Sequence, residues 1–201
     1  MRKIRSNGME IKTIAIVGAT GIGRRFLYAS VLAGFRTIFE DNSPQALEQG
    51  IAWIKQVLGE EVSRGKIDAE AHDAALANLL TADSAEDASR EADLIIEGVS
   101  DEMEMKIELF TIFDKFAKPG AVFASTTASL SITELAEVTF CAERCIGMRF
   151  SADASRVECL ELVRGRETSR ETIAICREVV RRMGKDVSVL SEGQVMSAHN
   201  R

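Results

Sequence analysis

A glycine-rich turn between a short apolar run and a helical segment constrains this chain more than any other feature. Residues 12–17 are mostly apolar and β-branched, which predicts a buried parallel strand, and residues 21–33 carry apolar side chains at helical spacing. Gly18-Ala-Thr-Gly-Ile-Gly23 lies between them. Because unpaired N–H groups at a helix N-terminus attract a pyrophosphate, this unit predicts a dinucleotide site. Gly18 permits the tight turn, and Gly23 lets the helix pack close to the strand.

An acidic residue after the second predicted strand, residues 36–40, favours NAD over NADP. Asp41 is placed to accept hydrogen bonds from the adenosine ribose hydroxyls, and its charge would repel a 2′-phosphate. The turn departs from the usual G-x-G-x-x-G pattern, because Thr20 replaces the second glycine and Gly21 follows one residue later. We expect NAD to contact the whole turn, including Ile22, with some crowding of the pyrophosphate by Thr20. The alternative is a sheet protein that uses these glycines only to turn tightly.

Strand and helix patterns alternate along the whole of the 201-residue chain. The alternation predicts an α/β fold of the Rossmann type, a doubly wound, mostly parallel sheet with helices on both faces. We expect residues 1–10 to form an N-terminal tail and residues 11–201 to form one NAD-binding domain. Hydrophobic residues make up 46% of the chain, which is enough for a core without disulfide or metal staples.

Charge and composition exclude several classes of protein. The net charge of −6 argues against a nucleic-acid binder, which is usually basic. No apolar run approaches the roughly 18 residues of a membrane span, and residues 1–10 lack the apolar core of a signal peptide. We interpret the four cysteines as reduced thiols of a cytoplasmic protein, and we predict no metal site.

Four further blocks of the sequence carry a family resemblance. They are Gly34-Phe35 with residues 41–47, residues 92–110, residues 123–135 and residues 144–150. In collinear order, they resemble the N-terminal, NAD-binding domain of the 3-hydroxyacyl-CoA dehydrogenases. The resemblance implies NAD as the cofactor and an oxidoreductase activity that interconverts 3-hydroxyacyl-CoA and 3-oxoacyl-CoA.

The resemblance also implies roles for four charged residues. Asp101 and Lys106 match the family's contacts near the nicotinamide-side ribose, where charged groups hold hydroxyls. The alternative for Lys106 is a surface lysine that pairs with Glu102 one helical turn earlier. The second predicted helix contacts CoA in the family, which makes Arg64 and Lys66 candidates for its phosphates. Their alternative is a solvated helix face.

The general base of the family is missing from this sequence. The family uses the histidine of a Gly-x-His-Phe-Phe-Asn-Pro motif, and Gly147-Met-Arg149-Phe-Ser-Ala-Asp153 stands in its place. A guanidinium stays protonated near neutral pH, so Arg149 cannot accept the proton of a substrate hydroxyl. The family's partner glutamate matches Glu161, which we expect to form a salt bridge with Arg149. We do not expect His72, in a distant helix, or His199, near the chain end, to replace the base.

Three other polar positions of the family's active site have also changed. Ala128 stands where the resemblance places a serine that contacts the substrate oxygen. Ala152 stands at the asparagine of the motif, and Ser197 stands at a later asparagine. The cofactor half of the site is largely kept while the catalytic half is altered.

Two functions follow, and we keep both. The first is the NAD-binding domain of a 3-hydroxyacyl-CoA dehydrogenase-like oxidoreductase that is impaired in catalysis. The second is a non-catalytic NAD(H)-binding protein or partner subunit descended from that family. We expect the family's helical C-terminal domain to be absent after Arg201, so that an acyl-CoA cleft is open or completed by a second copy or a helical partner chain. A short-chain-type reductase is disfavoured, because no Tyr-x-x-x-Lys pair is present and Tyr28 is the only tyrosine.

Overall fold

The computed structural model of the chain describes residues 10–151 and 159–193. The strands are β1 Thr13–Val17, β2 Arg36–Glu40, β3 Leu79–Thr81, β4 Leu94–Glu97, β5 Val122–Ser125, β6 Cys145–Phe150, β7 Cys159–Arg164 and β8 Asp186–Ser191. The helices are α1 Gly21–Leu32, α2 Pro44–Ser63, α3 Ala69–Ala77, α4 Ala85–Glu91, α5 Met103–Phe116, α6 Ile132–Ala136 and α7 Arg170–Arg182, with a short 3₁₀ helix at Ala142–Arg144.

One sheet runs through the described part of the chain in the order β3-β2-β1-β4-β5-β6-β7-β8. All neighbouring strands are parallel except β6 and β7, which are antiparallel. The strand order reverses between β1 and β4, and ligands of doubly wound sheets bind at the carboxyl ends of strands at such a switch point. The prediction of a Rossmann-type, mostly parallel sheet is confirmed.

Helices cover both faces of the sheet. Alternate residues of β1 point to opposite faces, as the pleat of a strand requires. Ile14 and Ile16 pack with apolar residues of α1, α2 and α7, while Ala15 and Val17 pack with residues of α4, α5 and α6. Because β1, β4 and β5 are buried throughout, they are mostly apolar, which is why they stand out in the sequence.

Side-chain caps fix where the helices begin. Thr20, Ser43, Asp68 and Ser169 each accept a hydrogen bond from a backbone N–H in the first turn of α1, α2, α3 and α7 respectively. These caps satisfy donors that would otherwise be unpaired. None of the helices in the described ranges is long and apolar enough to cross a membrane.

Candidate functional site

Three backbones meet at the glycine-rich turn. Gly18 has a φ of +111°, which strongly favours glycine, and its N–H donates to Glu40 O at 2.9 Å. A Cβ on Gly23 would lie 1.9 Å from Gly18 O, and a Cβ on Gly98 would lie 3.1 Å from Gly23 Cα. The close approach of α1 to β1 therefore requires Gly23, as the sequence predicted, and Gly98 of the loop after β4 completes the contact.

Thr20 turns its hydroxyl toward β4 and α1. Its Oγ1 donates to Gly98 O and accepts from Gly23 N at 3.3 Å, so that the side chain links two of the glycines. Gly21 and Ile22 follow as the first residues of α1, and a Cβ on Gly21 would meet nothing within 4 Å. Thr20 also lines the adjoining cavity, and its crowding of a pyrophosphate stays a prediction.

A cavity of about 540 Å³ opens beside the turn, at the carboxyl ends of β1, β2 and β4. Asp41 lines this cavity, and its carboxylate accepts from Ala19 N at 2.7 Å and from Ser43 N at 2.8 Å. The structure therefore places the predicted ribose-binding carboxylate next to the turn, on the side where the adenosine half of a dinucleotide is expected.

Glu40, which sequence reasoning did not single out, lines the same cavity. Its residue is only 3% exposed, and no hydrogen bond or ion pair of its carboxylate occurs among the described residues. Burial, with additional repulsion from Asp41 and Glu86, raises the pKa of Glu40 from 4.5 to about 7. The only signal in the sequence is a second acidic residue at the end of an otherwise apolar strand.

Lys106 is buried in an ion pair that the sequence did not predict. Its Nζ lies 2.7 and 2.8 Å from the two carboxylate oxygens of Glu97, at the end of β4, and the residue is fully buried. Glu97 also accepts from Ser125 Oγ at 2.8 Å and Val99 N at 2.7 Å. The alternative of a surface lysine paired with Glu102 is wrong, because α5 turns Lys106 toward the sheet.

Asp101 joins the loop after β4 to the loop after β5. Its carboxylate accepts from Ser129 Oγ at 3.0 Å and Ala128 N at 3.3 Å, and it lies 3.6 Å from Lys106 Nζ. Burial raises the pKa of Asp101, but hydrogen bonds from Thr127 and Ser129 and the charge of Lys106 outweigh it and hold the pKa below the ordinary value. Asp101 and Lys106 are thus adjacent, while their contact with a nicotinamide ribose stays a prediction.

Arg149 and Glu161 lie opposite each other on the antiparallel strands β6 and β7. Arg149 Nε and Nη2 lie 3.0 and 2.9 Å from Glu161 Oε2, and both side chains are largely buried. Arg149 Nη1 also donates to Ala128 O at 2.7 Å. The other oxygen of Glu161 accepts from Ser151 Oγ at 3.0 Å. The predicted salt bridge is present, and Arg149 links β6 to the loop after β5.

Glu192, directly after β8, connects this strand to the N-terminus of α6. Its carboxylate accepts from Thr133 N at 3.0 Å, from Thr133 Oγ1 and from Ser131 Oγ at 3.2 Å. It caps the N-terminus of α6 and lines a small cleft together with Ala128 and Arg149. A carboxylate cap supplied from 59 residues away has no local sequence signal, so sequence reasoning missed it.

The two candidates for CoA phosphates occupy different places. Arg64 pairs with Glu60 and Glu61 of its own helix, at 3.1 and 3.4 Å. Lys66 lies 3.2 Å from Glu61 and lines a second cavity of about 320 Å³. The other lining residues of this second cavity are Arg25, Tyr28, Ala29, Trp53, Val57, Glu61, Phe150 and Lys185.

Several positions named from the sequence lie outside the described residues: residues 1–9 of the predicted tail, Ala152, Asp153, Ser197, His199 and Arg201. His72 is on α3, beside Asp73, and lines neither cavity described above. The described site thus has two regions: one around the turn, β2 and β4, which we predict to be the cofactor half, and one around Arg149 and Glu161, which the resemblance predicts to be the catalytic half.

Comparison with known proteins identifies the sequence family. The family model described as "3-hydroxyacyl-CoA dehydrogenase, NAD binding domain" matches residues 13–193. A 3-hydroxybutyryl-CoA dehydrogenase of Bradyrhizobium diazoefficiens is 35% identical over 89% of this chain and 61% of its own length. A probable 3-hydroxybutyryl-CoA dehydrogenase of Bacillus subtilis is 33% identical over 88% of this chain and 61% of its own length. The chain thus spans about three fifths of these relatives.

Solved structures show the same fold. A 3-hydroxybutyryl-CoA dehydrogenase from Escherichia coli superposes with a TM-score of 0.86 and 28% identity, covering 92% of this chain and 39% of that one. An (S)-3-hydroxybutyryl-CoA dehydrogenase from Ralstonia eutropha gives a TM-score of 0.84 and 29% identity, covering 90% of this chain and 64% of that one.

Proposed function

This chain belongs to the 3-hydroxyacyl-CoA dehydrogenase family through its NAD-binding domain, and we propose that it binds NAD(H) while hydride transfer to or from an acyl-CoA is impaired. The binding region is the cavity beside the glycine turn, with Asp41 at the adenosine ribose and Asp101 and Lys106 toward the nicotinamide side. When bound, NAD accepts a hydride and NADH donates one. The residues of this chain bind and orient it.

The ion pair of Arg149 and Glu161 is the observation that carries the proposed impairment. Oxidation of a hydroxyl requires a base with a free lone pair, and a guanidinium has none. Glu161 is a poor substitute, because Arg149 and Ser151 already occupy its two oxygens. Ala128 offers no hydroxyl to a substrate oxygen, and its carbonyl already accepts from Arg149.

An acyl-CoA is the ligand class that we propose for the second cavity. Its lining combines the aromatic residues Tyr28, Trp53 and Phe150 with basic residues that include Lys66. Arg25 lies over the ring of Phe150, with its guanidinium carbon 3.7 Å from the ring centroid. Aromatic faces and basic groups suit an adenine ring and phosphates. Arg64 does not line this cavity, so Lys66 is the stronger of the two candidates.

The alternative function is a non-catalytic NAD(H)-binding protein or partner subunit. The ion pair of Arg149 and Glu161 also favours this alternative. It occupies the position of the base, but it does not alter the residues of the cofactor half. In that case a second copy of the chain or a helical partner chain covers the acyl-CoA side. A cytoplasmic location is part of the proposal and is supported by four buried cysteines that form no disulfide among the described residues.

One pair of measurements tests the proposed function. NADH binding is followed by fluorescence titration, and turnover is followed as loss of NADH absorbance with acetoacetyl-CoA. We expect saturable NADH binding and little or no turnover. Rapid turnover by the unchanged chain would overturn the proposed impairment, and absence of NADH binding would overturn the proposed cofactor site.

The substitution Arg149→His tests the role of the base position directly. It places an imidazole beside Glu161, and a positioned general base contributes about 10²- to 10⁴-fold to such reactions. We expect turnover with acetoacetyl-CoA to rise at least about tenfold, by that argument. Arg164→His, the same substitution at an exposed position of β7, is the matched control and should give no gain. If Arg149→His gives no gain in turnover, the defect lies at Ala128 or the other altered positions.

A further inference from the structure

Glu40 has an unusual position for an acidic residue. It ends β2, where the preceding residues are buried in the sheet, and its backbone carbonyl accepts the N–H of Gly18 in the turn. Glu40 is only 3% exposed, and it lines the 540 Å³ cavity. Within the ranges 10–151 and 159–193 no donor is paired with its carboxylate, so the acid group faces the cavity alone.

The charges that face Glu40 are all of its own sign. Asp41 follows it on the same strand end, Asp83 lies in the loop after β3, Glu86 is on α4 and Glu108 is on α5. The lining contributed by β1, the glycine turn and the loop after β4 is uncharged, and no lysine, arginine or histidine lines the cavity among the described residues.

Arg24 of α1, which follows the glycine turn, is directed away from the cavity. Arg24 Nε donates to Ala19 O at 3.1 Å, and the residue does not line the cavity. The carboxylate of Glu40 therefore depends on water in the cavity for its solvation.

Filling the cavity removes that water. An adenosine group carries no positive charge, so it cannot replace water as a counter-charge for a buried carboxylate. The neutral acid, by contrast, loses little on desolvation and gains a hydroxyl that can donate to a ring nitrogen or ribose oxygen. Burial and the repulsion of Asp41 and Glu86 already raise the pKa of Glu40 to about 7 in the free protein. A bound adenosine raises the pKa further by the same physical cause.

We propose that Glu40 is a further cofactor-site residue, whose carboxylate takes up one proton from solvent when the adenosine half of the dinucleotide fills the cavity. The inference rests on the proposed NAD site, because it requires the adenosine to occupy this cavity. It goes further in assigning a role to Glu40 and a pH dependence to cofactor affinity.

Proton uptake makes NADH affinity fall as the pH rises. Below about pH 6, Glu40 is protonated in both states and the Kd is constant. Above neutrality Glu40 is ionised in the free protein and must take up a proton when NADH binds, so the Kd increases by up to tenfold per pH unit. We expect the Kd of NADH to rise about tenfold between pH 6 and pH 8.

The variant Glu40→Gln removes the titrating group while keeping the shape of the side chain. Its Kd for NADH should be nearly constant over this range and, at pH 8, about tenfold lower than that of the unchanged protein. Glu108→Gln is the matched control, since it removes the same charge from the same cavity at an exposed position. It should keep the pH dependence.

Calorimetry of the unchanged protein provides a measurement that needs no variant. NADH is titrated at pH 7.5 in phosphate and in Tris, whose ionisation enthalpies differ. A difference in the observed binding enthalpy that corresponds to uptake of a substantial fraction of a proton supports the proposal.

Two results would overturn the proposal in distinguishable ways. NADH binding that releases or takes up no proton, with a Kd independent of pH, overturns the role of Glu40 and leaves the NAD site standing. Absence of NADH binding at every pH overturns both. A pH dependence that survives in Glu40→Gln also overturns the role of Glu40, because another group must then titrate.

Discussion

Gly21 and Gly23, two residues apart in one turn, differ in what a side chain would meet. The missing Cβ of Gly23 faces Gly18 O at 1.9 Å, whereas that of Gly21 faces open space. We expect Gly23→Ala to destabilise the fold by several kcal/mol, in the range of severe overpacking, and to abolish NADH binding. Gly21→Ala should be neutral or slightly stabilising, because alanine favours a helix by up to about 1 kcal/mol. Thermal unfolding and NADH titration of the two variants test this. Equal effects of the two would contradict it.

Lys106 is the buried counter-charge of Glu97, and its removal leaves the carboxylate of Glu97 with hydrogen bonds but without a paired cation. Breaking a buried pair by deleting one partner costs about 3 to 5 kcal/mol. We expect Lys106→Met to lose stability of that order in urea unfolding. Lys115→Met, at an exposed position of the same helix, should change stability by less than about 0.5 kcal/mol. A small effect at Lys106 would mean that the carboxyl of Glu97 becomes neutral without strain.

At the scale of elements, α6 depends on a carboxylate from another part of the chain. Glu192 accepts from the N–H and the hydroxyl of Thr133 in the first turn of α6 and from the hydroxyl of the N-cap residue Ser131, where the helix dipole and unpaired donors favour an anion. We expect Glu192→Gln to lower stability by about 1 to 2 kcal/mol and to speed amide exchange of Thr133. Glu134→Gln, on the exposed side of the same first turn, is the control. Unchanged exchange at Thr133 would show that Ser131 caps the helix alone.

The positions of the strands and helices could be predicted from the sequence, whereas most contacts between distant elements could not. Continuous apolar runs and cap residues such as Ser43 located the strands and helices, because burial on both faces and local capping leave local signals. The direction of β7 and the pairing of Glu97 with Lys106 are set by contacts between distant segments, which periodicity does not encode. Arg149 with Glu161 was predictable only because the resemblance had already paired their positions.

At the scale of the whole molecule, Glu40 gives folding stability a dependence on pH in the absence of any ligand. The pKa of Glu40 is about 7 in the folded protein, against an ordinary value of 4.5. Between pH 4.5 and pH 7, the folded state therefore holds a proton that the unfolded state has released. Stability therefore falls as the pH rises through this interval and is constant, with respect to Glu40, above it.

The variant Glu40→Gln isolates this contribution. We expect its melting temperature to exceed that of the unchanged protein at pH 8, and the difference to shrink as the pH falls toward 5. Thermal unfolding followed by circular dichroism at several pH values measures it. A difference that is the same at every pH would show that Glu40 does not titrate in this interval.

The contact of Gly18, Gly23 and Gly98 brings three main-chain segments together without intervening side chains, and Gly18 lines the cavity beside it. Amide groups are common to every residue, so this backbone contact is unaffected by most substitutions elsewhere, whereas the region around Arg149 and Glu161 depends on individual side chains. Substitutions can therefore remove the histidine, serine and asparagine of such a site one at a time without changing the backbone that is predicted to bind the nucleotide. We therefore expect a fold of this construction to lose its chemistry before its nucleotide binding, which leaves the bound cofactor available for another role.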